Sequence, residues 1–197
     1  MGGGGSEHRM TQRTPEQAVR AAQHSFVLEW GRMSSSWGIN PTMAQIHALL
    51  FISEEPMAMD DIIDRLGISR GNASMNLRDL IDWGVVKRFR KPGDRRDTYV
   101  ADTDPIVMIS RVVRERKRRE IDPTVDVLKN CIHMASGDSQ HEAAFREKVQ
   151  VLLEVFDLID AAFKFAMASD QRSKWLFERR DDIKRLLEQM GGADPNA

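Results

Sequence analysis

Residues 57–101 read MAMDDIIDRLGISRGNASMNLRDLIDWGVVKRFRKPGDRRDTYVA. Met59, Ile62, Ile63 and Leu66 recur at i, i+3, i+4 and i+7, so the spacing predicts a short amphipathic helix with one inward face. Asp60 and Asp61 fall in its first turn, where negative charge meets the positive end of the helix dipole. Gly67 supplies a left-handed stop. Ser69 is placed to cap a second helix that buries Ala73, Leu77, Leu80 and Ile81 and closes at Trp83-Gly84. Two β-prone runs follow, 85–90 and 98–101, around the turn Lys91-Pro92-Gly93-Asp94. Helix, tight turn, helix, hairpin is the order of a winged helix-turn-helix, which sets one helix and one hairpin against adjacent grooves of duplex DNA.

With its apolar positions turned inward, the second helix presents Arg70, Gly71, Ser74, Met75 and Arg78 outward, with Asn72 at the margin. Arginine can bond guanine bidentately, asparagine can bond adenine, serine reaches bases or phosphates, and methionine can touch a thymine methyl. Gly71, near the helix start, lets backbone N–H groups approach a phosphate. Lys91, Arg95 and Arg96 cluster at the hairpin tip, suited to a narrow minor groove. Asp94 is expected to pair with a neighbouring arginine and fix its direction. Between Arg65 and Arg96 there are nine basic residues and three acidic ones, a local charge of +6, although the whole chain carries only −1. A local basic footprint on a neutral protein suits a sequence-specific binder.

Outward from this segment, Thr14-Pro15 opens a long helix with Val19, Ala22, Phe26, Trp30, Met33 and Trp37 at helical spacing. Asn40-Pro41 starts another, with Ile46, Leu49 and Leu50 inward, broken by Glu54-Glu55-Pro56. Beyond the hairpin the chain reads as helix throughout. Asp104-Pro105 starts one helix and Asp122-Pro123 restarts or kinks it. Phe145, Val149, Leu152, Phe156, Ile159, Phe163 and Ala166 then alternate by four and three as a heptad seam. A last helix carries Leu176, Ile183, Leu187 and Met190.

These readings give a mainly α fold with a small β-hairpin wing. The expected organisation is a flexible leader at 1–13, a winged helix-turn-helix domain with an N-terminal dimerisation helix at 14–103, and a helical dimerisation and effector region at 104–191. The 197 residues suffice to bury a core without disulfides or metals, and the single Cys131 cannot form an internal disulfide. No apolar run reaches the about 18 residues that span a bilayer, and the opening MGGGGSEHRM has no secretion-signal character, so a cytoplasmic location is expected.

The segment GISRGNASMNLRDLIDWGVVKR followed by PGDRRD, with WGRMSSSWGINPTMAQIHALLFISEEPM upstream, resembles the GbsR-type branch of the MarR superfamily of bacterial regulators. The resemblance covers about residues 26–97; beyond Asp104 it extends only to helical character. It implies a dimeric winged-helix DNA binder, usually a repressor and often released by a small molecule. By position it would put Ser69, Arg70, Asn72, Ser74 and Arg78 in the major groove and make Arg95 or Arg96 the wing arginine beside Asp94. One departure is Ala58, where that family commonly has a capping Thr or Ser; losing such a cap costs about 1 kcal/mol.

Other features have plainer readings. Arg111, Arg114, Arg116, Lys117, Arg118 and Arg119 form a second basic run, read as a solvated or salt-bridged surface rather than a phosphate contact. Cys131 reads as a structural thiol rather than an oxidant sensor. Phe26, Trp30, Trp37 and Trp83 read as packing aromatics rather than a quaternary-ammonium cage. The five histidines lack paired ligand spacing, so neither a metal nor a cofactor is expected, and no nucleophile or phosphate-loop motif suggests an enzyme.

The expected function is therefore a homodimeric transcriptional regulator on a palindromic double-stranded operator, with a small-molecule effector as a further candidate partner. Its dimer contacts are expected at Phe26, Trp30, Met33 and Trp37 and at Phe145, Val149, Leu152, Phe156, Ile159 and Phe163. The alternative is a winged-helix protein–protein interaction module that does not bind DNA.

Overall fold

The computed structural model describes residues 14–90, 93, 96–137 and 139–191. Helix α1 (Pro15–Ser36) begins with a reciprocal cap: Thr14 Oγ1 accepts from Gln17 N at 3.3 Å and Gln17 Oε1 accepts from Thr14 N at 3.0 Å. Helix α2 (Pro41–Phe51) is capped by Asn40 Oδ1, which accepts from Thr42 N and Met43 N. A two-residue strand β1 (Met57–Ala58) precedes α3 (Met59–Leu66). Gly67 at φ 63° stops α3, and its N–H bonds Ile63 O at 2.9 Å. Helix α4 (Arg70–Asp82), strand β2 (Val86–Phe89) and strand β3 (Thr98–Ala101) complete the motif. The three strands form one antiparallel sheet in the order β1-β3-β2, with Met57 opposite Tyr99 and Arg88 opposite Tyr99 on its other side.

The chain divides into two compact units. One ends at Asp82 and resumes for Val86–Ala101; the other consists of Trp83–Val85 and the chain from Asp102 on. In the first unit the core is Ile46, Leu50, Ile62, Ala73, Leu77, Leu80 and Val86, all nearly inaccessible. Helices α1 and α2 approach closely at Gly31, where a Cβ would lie 2.6 Å from Gln45 Cγ. Ala58 offers no side-chain cap to α3, but its N–H is met by the Asp61 carboxylate at 3.2 Å, so half of the reciprocal cap survives.

In the second unit, α5 (Pro105–Arg116) is capped by Asp104 and widens into a π-type turn at Lys117–Ile121 before α6 (Asp122–Met134). Helix α7 (Gln140–Met167) packs on α6, and α8 (Asp170–Glu178) packs on α5. Helix α9 (Arg180–Gly191) ends the described chain.

Several expectations need correction. Strand β1 is not legible as a strand, because two residues are too few to alternate. The expected last helix is two helices, with Leu176 on α8 and Ile183 and Leu187 on α9. On α1 the buried line is Val27, Gly31 and Ser34, whereas Val19, Met33 and Trp37 are exposed. The α7 seam divides: Val149, Phe156 and Phe163 are half-buried within the chain beside buried Leu153, while Phe145, Leu152 and Ile159 are exposed. Ile81, Met59, Ile63 and Leu66 are half-buried rather than buried.

Candidate nucleic-acid interface

The turn between α3 and α4 is Gly67-Ile68-Ser69. Ser69 Oγ accepts from Asn72 N at 3.2 Å, the side-chain cap expected at the start of α4. Ala73, Leu77 and Leu80 anchor α4 inward, which turns Arg70, Gly71, Met75 and Arg78 to the surface and leaves Asn72 and Ser74 half-buried. More than half of the Met75 surface is exposed, so its side chain reaches solvent on this face. Arg70 is ion-paired with Asp60 on α3, both well exposed, so this arginine is tethered at its end of the face. Arg78 makes no ion pair among the described residues.

Periodicity passed over one residue on this helix. Asn76 is 1% exposed. Its Nδ2 donates to Asn72 O at 2.8 Å and to Asn72 Oδ1 at 2.5 Å, while its own Oδ1 is buried without a partner among the described residues. A polar residue on the inward face leaves no mark in an apolar pattern.

The hairpin adds a second cationic surface. Lys87, Arg88 and Arg90 are exposed. Asp97 ties Arg90 through Nε and Nη2 at 2.9 and 2.8 Å and lies 3.7 Å from Arg88. This carboxylate, unnoticed in the sequence, steadies the base of the hairpin; its signal is the opposite charges at 90 and 97, facing each other across the turn. Gly93 in the turn has φ 86°. Arg96 is exposed. Lys91, Asp94 and Arg95 lie outside the described residues, so the expected tip contact falls there.

The second basic run is consumed by carboxylates. Arg111 pairs with Asp102 at 3.3 Å and Asp170 at 2.6 Å, and Arg114 also holds Asp170. Arg116 pairs with Glu120, Lys117 with Asp122 and Asp160, and Arg118 and Arg119 with Glu115. Hydrogen bonds from Arg118 outweigh the burial that would raise it, and hold the Glu115 carboxyl below its usual range. The salt-bridged reading of this run therefore holds. Phe26 and Trp30 pack on each other at 5.5 Å, and Trp83 carries the Arg119 guanidinium 5.6 Å over its ring. Cys131 is half-buried on α6.

Comparison with known proteins concentrates on the same stretch. Residues 37–97 match the model of the MarR family. A putative HTH-type transcriptional regulator, YvaV of Bacillus subtilis (strain 168), is 18% identical over 93 residues, 47% of this chain and 52% of that protein. The HTH-type transcriptional repressor OpcR of the same organism is 18% identical over 92 residues, 47% of this chain and 50% of the other. The chain thus spans about half the length of the curated relatives it matches. A crystal structure described as a transcriptional regulator superposes with a TM-score of 0.52 at 20% identity, covering 72% of this chain and 95% of that one, a likeness of fold. Fold and element order agree that this stretch is a winged helix-turn-helix, and its residues 37–97 are similar to the MarR family.

Proposed function

We propose that this protein is a sequence-specific double-stranded DNA-binding regulator, a homodimeric repressor of the GbsR-like branch acting in the cytoplasm. The observation that carries the reading is the face of α4: Arg70, Met75 and Arg78 exposed, with half-buried Asn72 and Ser74 at its margin, on a helix whose other side is fixed in the core. Ser69 and Gly71 at its start suit a phosphate, and the cationic hairpin, with Arg95 or Arg96 steadied by Asp94, suits the neighbouring minor groove. The described helices include none long and apolar enough to cross a membrane. Two-fold pairing draws support from apolar surface left exposed on α1, at Met33 and Trp37, and on α7, at Phe145, Leu152, Leu158 and Ile159. A small-molecule effector would find room in an open cleft of about 830 Å³ within the first unit, walled by Arg20, His24, Val27, Leu49, Met57 and Arg65.

Selection of bound fragments from genomic DNA tests the reading. The expected result is enrichment of an inverted repeat whose half-sites lie about 10 base pairs apart, or a multiple of that. Enrichment of no sequence, with no retention of duplex at low salt, would remove it in favour of a protein-binding winged helix.

A further inference from the structure

We propose that Asn76 sets the base preference of α4 by drawing the acceptor of Asn72 inward, so that Asn72 presents its donor to the major groove. The inference rests on the DNA-binding reading above.

The amide orientations follow from the contacts. The side-chain atom of Asn76 that lies 2.8 Å from Asn72 O faces a backbone carbonyl, which can only accept. That atom is therefore Nδ2; an oxygen there would be repelled. The same Nδ2 lies 2.5 Å from a side-chain atom of Asn72, which must then be the acceptor Oδ1. Both amides are thus assigned without reference to hydrogen positions. Asn76 is inaccessible, and its Oδ1 finds no partner among the described residues. Turning the amide over would leave the nitrogen in that unpartnered spot and set two oxygens against each other, so the arrangement is locked. Asn72 Nδ2 makes no hydrogen bond among the described residues and belongs to a half-buried side chain on the outward helix margin.

An unrestrained asparagine favours adenine because Nδ2 donates to N7 while Oδ1 accepts from N6. The bond from Asn76 uses one lone pair of Oδ1 and draws that oxygen toward an inaccessible partner, away from the groove, so the second of these bonds is weakened. The remaining N–H groups match bases that present acceptors side by side, N7 and O6 of guanine. Asn76 does not touch DNA in this account; it is a positioning residue acting through Asn72.

The test uses the full chain and a randomised operator library, with base preference read position by position. Asn72→Ala identifies the position, one per half-site, whose preference flattens. At that position the wild type is expected to prefer guanine over adenine, and Asn76→Leu, which frees the Asn72 amide, to shift the ratio toward adenine on the order of tenfold. Asn72→Asp leaves the core untouched. It keeps an acceptor for Asn76 and replaces the free donor by an acceptor, so preference should move to cytosine, whose N4 donates. This arm, with the wild-type preference, decides the matter even if Asn76→Leu fails to fold. A wild-type preference for adenine, or an Asn72→Ala profile identical to wild type, overturns the inference while duplex binding itself stands. Absence of any duplex binding by the wild type removes the functional reading and the inference with it.

Discussion

Acidifying the protein from pH 7 to pH 4 is expected to cost the fold about 3 kcal/mol through His47 alone. His47 sits mid-way along α2, 5% exposed, stacked on Phe51 at 6.1 Å, and its Nε2 is buried without a partner among the described residues. Burial lowers its pKa from 6.5 to about 4. A base whose folded pKa is depressed binds its proton more readily when unfolded. Its contribution to stability is therefore complete above the unfolded value of 6.5 and is lost as the pH falls toward 4. About 2 kcal/mol should already be gone at pH 5.

Asp104, Glu115, Glu142, Asp160 and Asp170 are held below their ordinary values and also weaken the fold in acid. They do so nearer to and below pH 4, so the interval from 6.5 to 5 belongs to the histidine. Urea unfolding at pH 7, 6 and 5 checks this. His47→Leu removes an unsatisfied nitrogen and fills the same space, so it should be at least as stable at pH 7 and lose little of its stability down to pH 5. Parallel losses in the two proteins would show that the imidazole is not responsible.

The second large effect is expected at Arg111. Its side chain, 20% exposed, donates to Gly84 O and to Asp170, and it also lies against Asp102. Burial alone would raise the Asp170 carboxyl, but hydrogen bonds from Arg111 and Arg114 outweigh that and keep it ionised below its usual range. Arg111→Ala leaves the Gly84 carbonyl without this donor and Asp170 with only one of its two arginines. The expected loss is about 3 kcal/mol, because removing one partner strands the others. Arg111→Lys keeps the charge but not the fork that reaches two acceptors, and should cost roughly half as much. Urea midpoints of the three proteins measure it; a loss below about 0.5 kcal/mol in the alanine variant would place this arginine among ordinary surface charges.

Much of this architecture was legible because its apolar periods are clean. Ala73, Leu77 and Leu80 give α4, Ile46, Leu49 and Leu50 give α2, and Gly67 and Gly84 mark ends that the left-handed backbone confirms. Two of the residues that escaped notice share a cause. Asn76 and His47 are polar residues on inward faces, and a pattern built from apolar residues steps over them. Strand β1 takes its identity from pairing with Thr98 and Tyr99, some forty residues on, which no local reading supplies. The break between α8 and α9 comes at Arg179, without glycine or proline to announce it. Helix α7 is apolar on more than one side, and sequence spacing does not say which side the chain itself covers. Arg111 and Asp170 were visible only as charges; their meeting is a tertiary event.

The central claim is that α4 and its hairpin form a cationic surface for a double helix. Fluorescence anisotropy of a labelled random-sequence duplex, titrated with the full chain at several salt concentrations, tests it most directly. The account predicts binding at low salt that weakens by about a thousandfold between roughly 50 and 200 mM, with Arg95→Ala and Arg96→Ala together lowering affinity for every duplex and flattening the salt slope by about 1–2. Affinity that is absent at low salt, or unchanged by salt and by both substitutions, would contradict it.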